Sequence, residues 1–154
     1  MPEYFADTSA VLKLYFNESG SAWLSTLDLS SLTLSGLTIP EVASAIARRR
    51  GEGLLSDGDA RLTWRKFRQD VQAWLLVDVA RALLIRAAGL LIRSSTGVPL
   101  RALDAIQLAS ALEAQRQYRQ AGVGSLTFLT ADSRLELAAR RAGLDVDNPE
   151  RHSV

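Results

Sequence analysis

The sequence predicts an α/β fold, a central parallel sheet of four to five strands flanked by helices on both faces. Two observations predict it. Short β-like runs alternate along the chain with longer stretches whose apolar residues recur at helical spacing, the pattern of strands joined by helical crossovers. Composition agrees: 154 residues, 47% hydrophobic and 23% charged, are enough for a core and ordinary for a soluble globular domain. One domain over residues 1–147 and a tail over 148–154 are expected, with no repeat, linker or low-complexity segment.

The elements follow in order. Glu3–Ala6 reads as the first strand and Ser9–Phe16 as the helix after it, with Thr8 or Ser9 as the cap that leaves Asp7 free to point into a cleft. Ser21–Leu29 is a second short helix. A strand near Leu32–Ser35 turns at Gly36 into a helix from about Ile39 to Arg50. Asp57 or Asp59 is placed to cap the next helix, which carries Leu62, Phe67 and Val71 at helical spacing. Trp74–Val79 is a strand, and Ala80–Ser94 a helix ended by a loop with Gly97 and Pro99. Arg101–Gln120 is a long helix, Leu126–Thr130 a strand, and Ser133–Ala142 a helix with Gly143 at its C′ position. "LDV" reads as a last short strand and "NPERHSV" as the tail.

Several function classes drop out. There are no cysteines, so disulfides, zinc ribbons, iron–sulfur clusters and thiol catalysis are excluded. The single histidine, His152, falls in the expected tail, which argues against a Ser-His-Asp triad or a histidine-rich metal site. No signal peptide is read at the start. The most apolar stretch, Ala80 to Ser95, is broken by Arg81, Arg86 and Arg93, short of the roughly 20 residues of a membrane span. A cytoplasmic protein with no membrane partner is the expectation. The net charge of +1 announces no global field, although 16 arginines stand against only Lys13 and Lys66.

In open parallel sheets, sites form beyond the carboxyl ends of the strands. Four acids fall there or at helix starts: Asp7, Glu41, Asp104 and Asp132. Taken singly, each reads as helix capping. Asp7 precedes a helix, "TIPE" (Thr38 to Glu41) and "SRLE" (Ser133 to Glu136) fit capping boxes, and Asp104 suits the helix dipole. Taken together they pool negative charge in one cleft, which a divalent cation makes tolerable. All-oxygen ligands select hard ions, Mg2+ or Mn2+. Such an ion activates water and stabilises a phosphate, which points to phosphodiester hydrolysis without a side-chain nucleophile.

"FADTSAVLKLYF", "IPEVASAIAR", "LRALDAIQLASAL" and "FLTADSRLELAARRAGL" together resemble the PIN domain, and within it the VapC-type ribonuclease toxins of prokaryotic toxin–antitoxin pairs. The four motifs stand in the family's order and span Phe5 to Leu144. The resemblance implies a Rossmann-like sheet and an endoribonuclease dependent on Mg2+, with Mn2+ able to substitute. It implies that Asp7, Glu41, Asp104 and Asp132 form the acidic quartet, with Asp7 and Asp104 the most direct metal ligands. Glu41 and Asp132 then complete the site, bind through water or orient the nucleophile. Thr8 and Thr130 match the small hydroxyl residues beside these acids. A homodimer and a cognate antitoxin that blocks the cleft are the implied protein partners. The chain looks long for the compact toxins, with extra residues around "RQYRQAGVGS".

Other stretches carry two readings. Arg48, Arg49 and Arg50 end the Glu41 helix, where they suit the helix dipole and also suit contact with RNA phosphates. "TWRKFRQDVQAW" interleaves aromatics with cations, and core packing is favoured over base stacking. "SAWLSTLDL" is an apolar helix, either core or antitoxin groove. "GEGLLSDG" follows a helix rather than a strand and is rejected as a nucleotide loop. Three alternatives remain beside the toxin: a nuclease with an RNA-processing or DNA-cleaving role, a receiver-like module, and a non-catalytic module whose acids are only caps. The receiver reading needs a late lysine that Lys13 and Lys66 do not supply.

Overall fold

Five short strands run parallel in a single sheet in the computed structural model, which describes residues 3–94 and 100–152. The chain passes through β1 (Glu3–Ala6), α1 (Thr8–Leu12), α2 (Ser21–Leu24), β2 (Thr33–Ser35), α3 (Thr38–Gly51) and α4 (Asp57–Asp70). It continues through β3 (Leu75–Val77), α5 (Arg81–Arg93), α6 (Ala102–Gln120), β4 (Leu126–Leu129), α7 (Ser133–Arg141) and β5 (Asp145–Asp147). The strand order is β3-β2-β1-β4-β5. The α/β class, the parallel pairing and the upper strand count all agree with expectation. The expected loop with Gly97 and Pro99 lies outside the described residues.

Alternation along the strands builds two cores. Phe5 and Phe128, with ring centroids 5.6 Å apart, face one layer of helices together with Leu126. That layer is formed by α5, α6 and α7, through Leu83, Ala87, Leu108 and Leu135. Ala6, Leu34 and Leu129 face the other layer, formed by α1 to α4 through Val11, Leu24, Val42, Ile46 and Phe67. Successive side chains point to opposite faces of a strand, so strands apolar on both faces require a helical layer on each. Phe67 is fully buried between Trp64 and Tyr15, so the aromatics of "TWRKFRQDVQAW" do pack the core. Among the described residues, no helix is long and apolar enough to cross a membrane.

The sheet order reverses at β1. The chain winds outward through β2 and β3, then returns to place β4 on the other side of β1. This switch point opens a crevice at the carboxyl ends of β1 and β4, where parallel sheets hold ligands. Asp7 leaves β1 and Thr130 leaves β4 at that crevice.

Several boundaries differ from the sequence reading, each for a local reason. Ser56 rather than Asp57 or Asp59 caps α4, its Oγ accepting from the Asp59 backbone N–H at 3.0 Å. Strand β3 is shorter than Trp74–Val79 because it is an edge strand, with Leu75 and Leu76 exposed. The first two helices are only five and four residues long. Residues 148–152, expected as a tail, belong to the fold. Pro149–Arg151 forms a 3-10 turn. His152 stacks on Trp23 at 3.8 Å between ring centroids and pairs with Asp147 at 2.7 Å. Glu150 pairs with the buried Lys13 at 2.7 Å. The buried Glu136 draws Arg140, Asn148 and Arg151 around its carboxylate. A buried carboxylate needs such partners, and only the segment after β5 supplies two of them.

Candidate active site

Asp7 is the first residue after β1, and it is itself the N-cap of α1. Its Oδ1 accepts from Ser9 Oγ at 2.7 Å and from the Ala10 backbone N–H at 3.0 Å. Its Oδ2 accepts from Thr130 Oγ1 at 2.8 Å. The expectation that Thr8 or Ser9 would cap this helix is overturned. The Ser9 hydroxyl is engaged with Asp7 and accepts from the Ala131 N–H at 2.9 Å, and Thr8 turns to Glu41. Asp7 is 4% exposed. Burial pushes its carboxyl up to about 6, against the hydrogen bonds from Ser9, Ala10 and Thr130, and the nearby charge of Asp132 adds to the rise.

Thr130, fully buried at the exit of β4, joins the two strand ends. It donates to Asp7 and accepts from the Asp132 N–H at 3.1 Å. Asp132 is the N-cap of α7, with Oδ1 accepting from the backbone of Arg134 at 2.8 Å and of Leu135 at 3.2 Å. The expected capping box on Ser133 is therefore not made. Asp104 sits at the third position of α6, where its Oδ2 accepts from the Arg101 backbone N–H at 3.2 Å. Asp104 and Asp132 line one hollow of about 330 Å³ with Arg101, Ser133 and Arg134.

Glu41 lies in the first turn of α3. Its Oε1 accepts from Thr8 Oγ1 at 2.7 Å and from Gln107 Nε2 at 2.8 Å. The capping box expected between Thr38 and Glu41 is absent, because Thr38 is buried and faces Gln107 at 3.1 Å. Thr8, Glu41 and Arg48 line a second hollow of about 390 Å³, bordered by Leu103. Since Leu103 and Asp104 are consecutive, the first turn of α6 borders both hollows. The three arginines at the end of α3 diverge. Arg48 joins Glu41, Arg49 pairs with Glu18 and lies 4.1 Å over Phe16, and Arg50 lies 3.9 Å from Asp57.

The expected pooling of acids into one cluster is only partly seen. Asp7 senses Asp132, Asp132 shares a hollow with Asp104, and Glu41 stands in the next hollow. Among the described residues, no three acidic or histidine side chains stand close enough to hold a metal ion as placed. Each carboxylate is instead held by a helix terminus or a hydroxyl, which also limits like-charge repulsion. Among the described residues, Glu41 Oε2, Asp104 Oδ1 and Asp132 Oδ2 accept no hydrogen bond. Both oxygens of Asp7 accept hydrogen bonds. The donors are nonetheless all hard carboxylate oxygens, three of the four residues keeping one free, so they fit Mg2+ or Mn2+ by chemistry rather than by a preassembled cage.

Sequence reasoning did not place Ser9, Thr38 or Gln107 in the site. Gln107 follows Asp104 by three residues on the same helix face, and Ser9 follows Asp7 by two. Both spacings are the available signals.

The chain has no significant match among the curated proteins. Solved structures match it over nearly its whole length. FitAB bound to an IR36 DNA fragment gives a TM-score of 0.68 at 21% identity, covering 98% of each chain. VapBC2 from Rickettsia felis, bound to a DNA fragment from its promoter, gives 0.64 at 12% identity, covering 95% of this chain and 98% of that one. VapC20 of Mycobacterium tuberculosis, a sarcin-ricin loop cleaving toxin, gives 0.62 at 17% identity, covering 88% and 94%. At these identities the likeness is one of fold. The PIN domain model matches residues 4–141, which include all four acids and both strand exits of the crevice, and the chain accordingly belongs to the PIN domain family.

Proposed function

We propose that the chain is a divalent-metal-dependent endoribonuclease, the toxin of a toxin–antitoxin pair. The observation that carries this reading is Asp7, a carboxylate buried at the sheet's switch point whose charge is disfavoured until a cation compensates it. A second acid beside it and two more at the adjoining hollows supply the remaining oxygen ligands.

A bound Mg2+ ion supplies Lewis acidity and lowers the pKa of a water. The chain's own residues do the rest. Thr130 and Ser9 hold the Asp7 carboxylate, and Asp7 and Asp104 serve as direct ligands. Asp132 completes the ligand set. Glu41, with Oε2 open, orients the attacking water and takes its proton. Arg48, Arg101 and Arg134, exposed around the hollows, receive RNA phosphates. A homodimer and a cognate antitoxin are part of the proposal, in keeping with the toxin–antitoxin complexes of like fold.

The test is RNA cleavage by the purified protein with Mg2+ or Mn2+ against chelator. The wild type is expected to cleave with metal only, and Asp7→Asn and Glu41→Gln to lose cleavage while remaining folded. No cleavage by the wild type with either metal, or wild-type rates in both variants, refutes the reading.

A further inference from the structure

Three helices meet at Glu41: α1 through Thr8, α3 through Glu41 itself and Thr38, and α6 through Gln107. Gln107 Nε2 lies 2.8 Å from Glu41 Oε1, 3.1 Å from Thr8 Oγ1 and 3.1 Å from Thr38 Oγ1. An amide nitrogen has two hydrogens for these three oxygens. The carboxylate is the nearest and the charge-assisted acceptor, so it takes one hydrogen outright. Thr8 donates to that same Oε1. One carboxylate oxygen thus carries two donors, and the other carries none among the described residues.

The glutamine is costly where it stands. It is 3% exposed, on a helix buried on most sides, with Leu108, Ser110 and Ala111 as its nearest buried neighbours along α6. Its own Oε1 has no hydrogen-bond partner, the one such buried side-chain atom among the described residues. A buried amide oxygen left unpaired is rare and destabilising, and an apolar side chain would avoid it. What an apolar side chain cannot supply is the Nε2–H aimed at Glu41.

We propose that Gln107 is the positioning residue for Glu41, fixing Oε1 against Thr8 and leaving Oε2 as the oxygen that works. The inference rests on the nuclease reading for its consequence and on geometry for its substance. Gln107 touches no substrate. It acts through the rotamer of Glu41, as partners of catalytic and metal-bound carboxylates do elsewhere.

Gln107→Met keeps length and volume and removes the donor, and Gln107→Glu keeps shape and sets a like charge against Glu41. With RNA and saturating Mg2+, Gln107→Met is expected to lower kcat roughly 10- to 100-fold while KM moves less than about twofold. In a Glu41→Gln background, the same substitution is expected to add no further loss to whatever rate remains, the non-additivity of two groups acting as one. Gln107→Glu is expected to lose at least as much kcat as Gln107→Met. A readout free of activity is the ¹⁵N side-chain amide signal of Gln107 in metal-free protein, expected to shift on Glu41→Gln. An unmoved amide signal overturns the proposal. So does a Gln107→Met variant with wild-type kcat and a lowered melting temperature, the result for a purely structural staple. If the wild type does not cleave RNA, the nuclease reading fails alone, and the amide signal still decides whether Gln107 holds Glu41.

Discussion

Replacing Asp7 by Asn should stabilise the metal-free protein at neutral pH, and the size follows from burial. An unfolded aspartate titrates near 3.9, whereas burial holds Asp7 at about 6 in the fold. The folded chain therefore binds this proton more tightly than the unfolded chain. Between about pH 4 and pH 6 the native state holds more protons, so stability falls as pH rises. Above pH 6 the full cost of the buried charge is present, about 3 kcal/mol, and below about pH 4 it is gone. Asn keeps the Oδ1 that accepts from Ser9 and Ala10, so the cap survives. Its amide nitrogen replaces Oδ2 opposite Thr130, whose hydroxyl must turn to accept, a loss of about 1 kcal/mol. The net gain of about 2 kcal/mol corresponds to about 4–8 °C in melting temperature for a domain of this size. The assay is a thermal melt in chelator at pH 7.5 and again at pH 4. With Mg2+ at about a hundred times its Kd, the wild type should gain about 2.7 kcal/mol that the variant lacks, closing or reversing the gap. An Asn variant that melts below the wild type at pH 7.5 in chelator refutes the reasoning. A gap of equal size at pH 4 refutes it as well.

Gly20→Ala should destabilise strongly, because Gly20 has φ of +86° and an added Cβ would lie 2.6 Å from the Pro149 carbonyl carbon. The expected loss exceeds about 1 kcal/mol, the left-handed penalty alone, and Trp23 fluorescence should report separation of the His152 ring. Arg48→Ala should weaken RNA binding and flatten its salt dependence by about one contact, whereas Arg50→Ala should leave both nearly unchanged. Filter binding across a salt series checks this pair, and equal effects would remove the distinction drawn from their divergent placement.

The sheet was legible because its strands are apolar, short and separated by amphipathic helices. Glu3–Ala6 is bounded as expected, and Asp132 follows its strand as expected. What the sequence did not disclose was the use of each polar group. Asp7, Thr8 and Ser9 are all competent caps, and only the approach of Thr130 and Glu41 from distant segments decides which one caps. Gln107 reads as one more helix former until α3 brings Glu41 to it. "NPERH" reads as a tail because nothing local shows that Glu136 and Trp23 need partners. Long-range polar pairing leaves no periodic trace.

The strand order also sets a timetable for synthesis. β1 emerges first, yet one of its two neighbours in the sheet, β4, is among the last to be made. Of the two hydroxyls that hold Asp7, that of Thr130 comes 123 residues later. At about 5–20 residues per second, roughly 6–25 seconds of translation separate the two halves of the crevice. A nascent or prematurely terminated chain ending before Leu126 carries Asp7 and Glu41 but neither β4 nor Thr130. The candidate site thus comes together only after β4 has been made, and products truncated before it lack Thr130 and Asp132.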